Sequence, residues 1–155
     1  MNKLPPIEKI YEAFSAIADN RVTMEDNYAK VASSNYEKEY RVTWDDNIYT
    51  SNDNASYWQG YAGYPMIAVL MLQGKLSLNY VTSEYFKGIN WTELNAKYKG
   101  KYAKAVSEII IDLKAKGTDC DVITSEVNKI YKEISELNIS TKRSKIRPPK
   151  SKDKE

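Results

Sequence analysis

Apolar residues at the start of the chain recur at steps of three and four: Ile7, Ile10, Tyr11, Phe14, Ile17 and Ala18 make one stripe behind Pro5 and Pro6. That period, opened by prolines suited to a first helical turn, predicts a helix ending near Asp19-Asn20. The period then drops to two. Tyr36, Tyr40, Val42 and Trp44 alternate with Glu37, Glu39, Arg41 and Thr43, with Lys38 alone interrupting the apolar side, the pattern of a half-buried strand. Tyr28 to Ser33 is β-compatible and Ser34-Asn35 supplies turn chemistry, so these segments pair as an antiparallel hairpin. Val22 to Met24 and Ile48 to Thr50 add short flanking strands.

Ser51 to Asn54 reads as a loop with helix-capping side chains at its end. Met66 to Gln73 is apolar nearly all round and closes at Gly74, so it predicts a helix at the centre of the core. Thr82 to Lys87, followed by Gly88, predicts a short helix. Asn90 as N-cap, Glu93 at the third helical position, and a staple of Ile89 on Leu94 then mark the start of another. Its stripe runs through Leu94, Tyr98, Tyr102, Val106, Ile109 and Leu113 to Lys116-Gly117, with Gly100 as the site of a bend. Ile123, Val127, Ile130, Ile134 and Leu137 predict a last helix over about 121–137, antiparallel to its predecessor across the short Lys116 to Asp119 connection. The expected fold is α+β and mainly helical: a small antiparallel β-meander over about residues 22–50 packed against four or five helices.

Charge changes this picture at one end. The net charge is +2, but residues 141–155 carry seven basic and two acidic side chains. With Ile146 as their single aliphatic residue and Pro148-Pro149 in their middle, they bury too little to offset ordering, which predicts a disordered basic tail behind a globular domain of residues 1–140. Histidine is absent and Cys120 is the only cysteine. A Ser-His-Asp triad, a Cys-His pair, a CxxC redox pair and the usual zinc sites are thereby excluded within one chain. No phosphate-binding glycine loop occurs, and neither Asp45-Asp46 nor Asp119-Cys120-Asp121 has the spacing of a calcium loop. No cofactor and no metal are expected. The longest apolar run, Met66 to Leu72, is far shorter than the roughly 20 residues of a membrane span. Met1 to Pro6 lacks the apolar run of a signal peptide. A cytoplasmic protein without membrane partners is the expectation.

Three functional readings are open. The short helix, Gly88 and the helix capped by Asn90 have the outline of a helix-turn-helix and resemble winged-helix modules in general shape. Glu84 and Lys97, however, fall where that motif needs core residues. The leading reading is therefore non-enzymatic, sequence-nonspecific binding of nucleic acid or another polyanion. Its contacts are Lys97, Lys99, Lys101 and Lys104 on one helix with Lys142, Arg143, Lys145 and Arg147 in the tail. The alternative is a homo-oligomer or adaptor using the Tyr/Trp/Gly segment, with Tyr57, Trp58, Gln59, Tyr61 and Tyr64 as ligand- or partner-binding residues. Its competing explanation is tight packing, with Gly60 and Gly63 admitting close neighbours. A small-molecule site using Asp and Tyr groups ranks third; it requires a concave pocket with at least two converging carboxylates.

Overall fold

The computed structural model describes Met1 and residues 3–150. Helix α1 (Lys9–Ala18) leads into a meander of β1 (Val22–Met24), β2 (Tyr28–Ala32), β3 (Glu39–Asp45) and β4 (Ile48–Ser51). A π-helical turn (Ala55–Gln59) comes next, then α2 (Tyr64–Leu72), α3 (Tyr80–Glu84), α4 (Trp91–Lys97), α5 (Tyr102–Ala115) and α6 (Cys120–Glu136), and β5 (Ser140–Thr141) returns to the sheet. The strands lie in sequence order, the first four antiparallel and β5 parallel to β4. The fold is α+β and mainly helical, with the β-meander where the alternating pattern placed it.

The register, with Ala29 opposite Val42 and Val42 opposite Ser51, puts Ala29, Val31, Val42 and Tyr49 on the covered face. It turns Tyr28, Arg41, Thr43 and Thr50 to the other face. Helices α1 and α2 pack against each other, and α2 lies on the strands. Every residue from Pro65 to Met71 is buried, as a helix with no polar face must be. Tyr11, Phe14 and Phe86 meet with ring centroids 5.3–6.4 Å apart, tying α1 to the end of α3 through edge and tilted contacts.

Several boundaries differ from the sequence reading. The helix expected from Leu94 to Lys116 is two helices, because Lys99 (φ 54°) and Gly100 (φ 79°) are both left-handed and a helix cannot pass through two such residues. Strand β3 starts at Glu39, later than Tyr36. That tyrosine has φ 62°, inside a turn where Ser33 Oγ donates to Asn35 Oδ1 (2.9 Å) and accepts from Lys38 N–H (3.0 Å). The short helix begins at Tyr80, because the Asn79 side chain caps it. The first part of the basic segment runs along the sheet edge. Lys142 N–H bonds to the Tyr49 carbonyl (2.9 Å), Asn52 Nδ2 donates to the Arg147 carbonyl (3.2 Å), and Ser144 is buried. The expectation for 151–155 lies outside the described residues.

The cap read at Asn90 is present: its Oδ1 accepts from Glu93 N–H at 3.0 Å. Replacing Asn90 with Ala is expected to cost about 1 kcal/mol, measured by urea unfolding.

Candidate functional site

In α1 the polar residues Lys9, Glu12 and Ser15 step by three along a segment that is otherwise almost wholly apolar, so they share one helix face. That face forms the floor of the site. Lys9 Nζ lies 3.3 Å from Glu12 Oε2, with both side chains 7% exposed. Asn95 of α4 donates Nδ2 to Glu12 Oε1 (3.2 Å), and the Lys9 ammonium sits 4.0 Å from the Tyr102 ring centroid. Ser15 Oγ donates to the Phe86 carbonyl and accepts from Trp91 Nε1 (2.7 Å), which fixes α4 on α1.

Above this floor opens a cleft of about 400 Å³. One wall is the β2–β3 hairpin and α4, with Ser33, Ser34, Lys38, Trp91, Thr92 and Asn95; the other is the π-turn and its flanks, with Asn54, Trp58, Gln59, Tyr61 and Tyr64. Tyr40, Tyr102 and Asp53 complete the lining. Its volume falls in the range of small-molecule sites.

The π-turn is held by side-chain bonds that leave little slack. The Asp53 carboxylate accepts the Ser51 hydroxyl on one oxygen and Ser56 N–H (3.0 Å) on the other, while Ser56 Oγ accepts Gly63 N–H (2.9 Å). Gly60 closes the turn at φ 75°, where glycine is unstrained. From behind, Thr141 Oγ1 donates to the Gly60 carbonyl (3.0 Å) and Arg143 Nε to the Tyr57 carbonyl (3.2 Å). The Arg143 guanidinium lies over both Tyr57 (5.0 Å) and Trp58 (5.7 Å). The outcome is a Trp58 that is 60% exposed yet fixed at the mouth of the cleft. Single π-turns are frequent at functional sites.

Burial sets the electrostatics. It pushes the Glu12 carboxyl above its ordinary value, against the pull of Lys9 and Asn95. Burial also works to lower Lys9, but Glu12, with Tyr102 and Tyr61 beside it, more than offsets this and holds the ammonium above its usual value. Tyr40 is pushed up to about 12 by burial, then by Asp53 and Glu12. Tyr64 is raised much further by burial, then by Tyr40, and Arg21 opposes this. The cleft therefore presents un-ionised phenols, one paired ammonium and a carboxyl able to hold a proton closer to neutrality than a free glutamate.

Of the residues singled out in the sequence, Trp58, Gln59, Tyr61 and Tyr64 line this cleft. Tyr57 lines a smaller adjoining recess of about 240 Å³ with Arg143. Lys97, Lys99, Lys101 and Lys104 are exposed on α4, α5 and their junction. Lys97 is already paired, Nζ to Glu108 Oε1 at 2.6 Å, and Glu108 also takes the Tyr98 hydroxyl at 2.7 Å. Lys142, Arg143, Lys145 and Arg147 are placed along the sheet edge, all four of them exposed. Sequence reasoning missed Lys9, Glu12, Tyr40, Asn95 and Tyr102. The signal for the first two was present: polar side chains at i and i+3 in a helix with almost nothing else polar. Among the described residues no group of three or more carboxylates and thiols is placed to hold a metal ion, and no helix is long and apolar enough to cross a membrane.

No curated protein and no solved structure matches the chain. Residues 2–140 match the model of a family described as "Uncharacterised conserved protein UCP014422". That match spans nearly the whole of the globular part, floor and both walls of the cleft included, and the chain belongs to this family.

Proposed function

We propose that the cleft binds a small, uncharged, polyhydroxylated ring of the size of a sugar. The observation that carries this is the composition of the lining around the buried Lys9–Glu12 pair. Lys9 and Lys38 balance Glu12 and Asp53, so the lining makes no net ionic demand on its occupant. Amides and hydroxyls from Asn54, Gln59, Asn95, Ser33, Ser34 and Thr92 offer both donors and acceptors. Trp58, Tyr61 and Tyr102 offer flat apolar faces. A recess bordered by Tyr and Trp residues, in place of a flat patch, favours a small ligand over a protein partner on the 57–64 segment.

Glu12 and Asp53 both reach the lining, but both Asp53 oxygens are engaged by the loop. Glu12 is likewise held on both oxygens, by Lys9 and Asn95, so recognition is the activity proposed. Calorimetric titration of the full chain with methyl glycosides and disaccharides tests it. Binding is expected to weaken about tenfold in Trp58→Ala, with unfolding within about 0.5 kcal/mol of wild type because the indole is mostly solvated. A panel in which adenosine binds and no sugar does would contradict the proposal.

A further inference from the structure

The second large concavity lies on the opposite face of the sheet. It measures about 620 Å³ and runs between the outward side chains of β2–β4 and the segment 142–146 beyond β5. Register alone places Tyr28, Thr43 and Thr50 in one row across it, and the Arg41 guanidinium lies 4.5 Å from the Tyr28 ring centroid. Ile48 and Ile146 add apolar surface. Lys142, Arg143 and Lys145 line the strap side, against a single acidic lining residue, Asp45. None of Arg41, Lys142, Arg143 or Lys145 forms an ion pair among the described residues. Lys97, on the helical side, is neutralised by Glu108.

We infer that this groove binds single-stranded nucleic acid, with a base stacking on Tyr28 and phosphates meeting Arg41, Lys142 and Lys145. Charge and geometry both select that occupant. Cations left without carboxylates attract a polyanion, and an aromatic ring on a sheet face accepts an unpaired base of any sequence. A duplex keeps its base faces stacked inside and offers this ring nothing. The site is separate from the cleft, so its failure leaves the sugar proposal standing. It also narrows the polyanion reading of the sequence from two lysine-rich surfaces to the sheet edge and its strap.

Fluorescence anisotropy of the full chain with a labelled oligothymidylate of about twelve nucleotides tests it. With about three phosphates engaged, affinity should fall roughly 20-fold between about 50 and about 200 mM salt. Lys142→Glu with Lys145→Glu, both exposed, should weaken binding at least about tenfold and make the slope of log K against log salt shallower by about 1.4. Tyr28→Leu should cost about tenfold with the slope unchanged. The pair Lys99→Glu and Lys104→Glu should change affinity less than about threefold. No binding by wild type, equal binding of a duplex, or a larger loss from the Lys99 and Lys104 changes than from the strap changes would each overturn the assignment.

Discussion

Lys9→Met is expected to destabilise the protein by roughly 3 kcal/mol at pH 7, and by much less near pH 4.5. The lysine neutralises a carboxylate buried beside it at 3.3 Å. Breaking such a pair leaves one uncompensated buried charge, which is far costlier than losing the pair's net attraction. Protonation limits the loss. A glutamate with an ordinary value of 4.5 can escape by taking up a proton, and doing so at pH 7 costs roughly 3 kcal/mol at about 1.4 kcal/mol per pH unit. The sign of the pH dependence comes from the direction of the shift. Because the folded state raises Glu12, its contribution to stability is full below about 4.5 and is lost as pH rises through the folded value. Removing Lys9 raises that value further, so the mutant's deficit grows with pH across that window. Lys9 is also raised from 10.5; the stability it contributes is present below that pH and disappears as pH climbs through its folded value. The double variant Lys9→Met, Glu12→Gln is expected within about 1 kcal/mol of wild type, since both charges leave together. Urea unfolding at several pH values reads all of this. A deficit in Lys9→Met that is independent of pH, or no recovery in the double variant, would show that the ion pair is not what Lys9 contributes.

Gly63→Ala is expected to cost about 3 kcal/mol and to release the π-turn. The backbone at Gly63 is extended (φ −71°, ψ 174°), a conformation open to any residue, so the requirement for glycine is one of space. A Cβ there would overlap Asp53 Oδ2, stand 2.8 Å from its Cγ and 3.0 Å from Ser56 Oγ. The carboxylate cannot swing aside cheaply, because Ser51 and Ser56 N–H hold it and it is buried. Overpacking of this kind costs about 1–3 kcal/mol, and the displaced carboxylate leaves Ser56 N–H unsatisfied in addition. Gly60→Ala is the control. Nothing stands within 4 Å of its would-be Cβ, so only the left-handed φ is penalised, at about 1 kcal/mol. If the two variants unfold at the same denaturant concentration, the crowding around Asp53 is not what holds the wall.

The elements were legible where one local rule acted without competition. The all-apolar run 66–73 became the buried α2, Asn90 became a cap, and alternation from Tyr40 to Trp44 became β3. Errors arose where two rules met. The stripe through Tyr98 and Tyr102 keeps helical spacing across Lys99-Gly100, so periodicity alone cannot show the break that two left-handed residues make. The walls of the cleft were half visible, because four aromatics and two glycines in nine residues stand out in any reading. Its floor was less so: the spacing of Lys9 and Glu12 puts them on one helix face without showing whether that face is solvated or covered. Only the packing of α4 and Tyr102 over that side turns the same two residues into a buried pair.

The claim that most depends on these contacts is that the cleft between the hairpin, α4 and the π-turn takes a neutral sugar ring. Amide and indole N–H chemical shifts of the ¹⁵N-labelled chain, tracked while a disaccharide is added, locate the occupant directly. The expected result is saturable movement of the Asn95 and Gln59 side-chain amides and of the Trp58 and Trp91 indoles, with Trp44 unmoved. Movement confined to residues outside the cleft, or none at any concentration across a panel of neutral sugars, would contradict it.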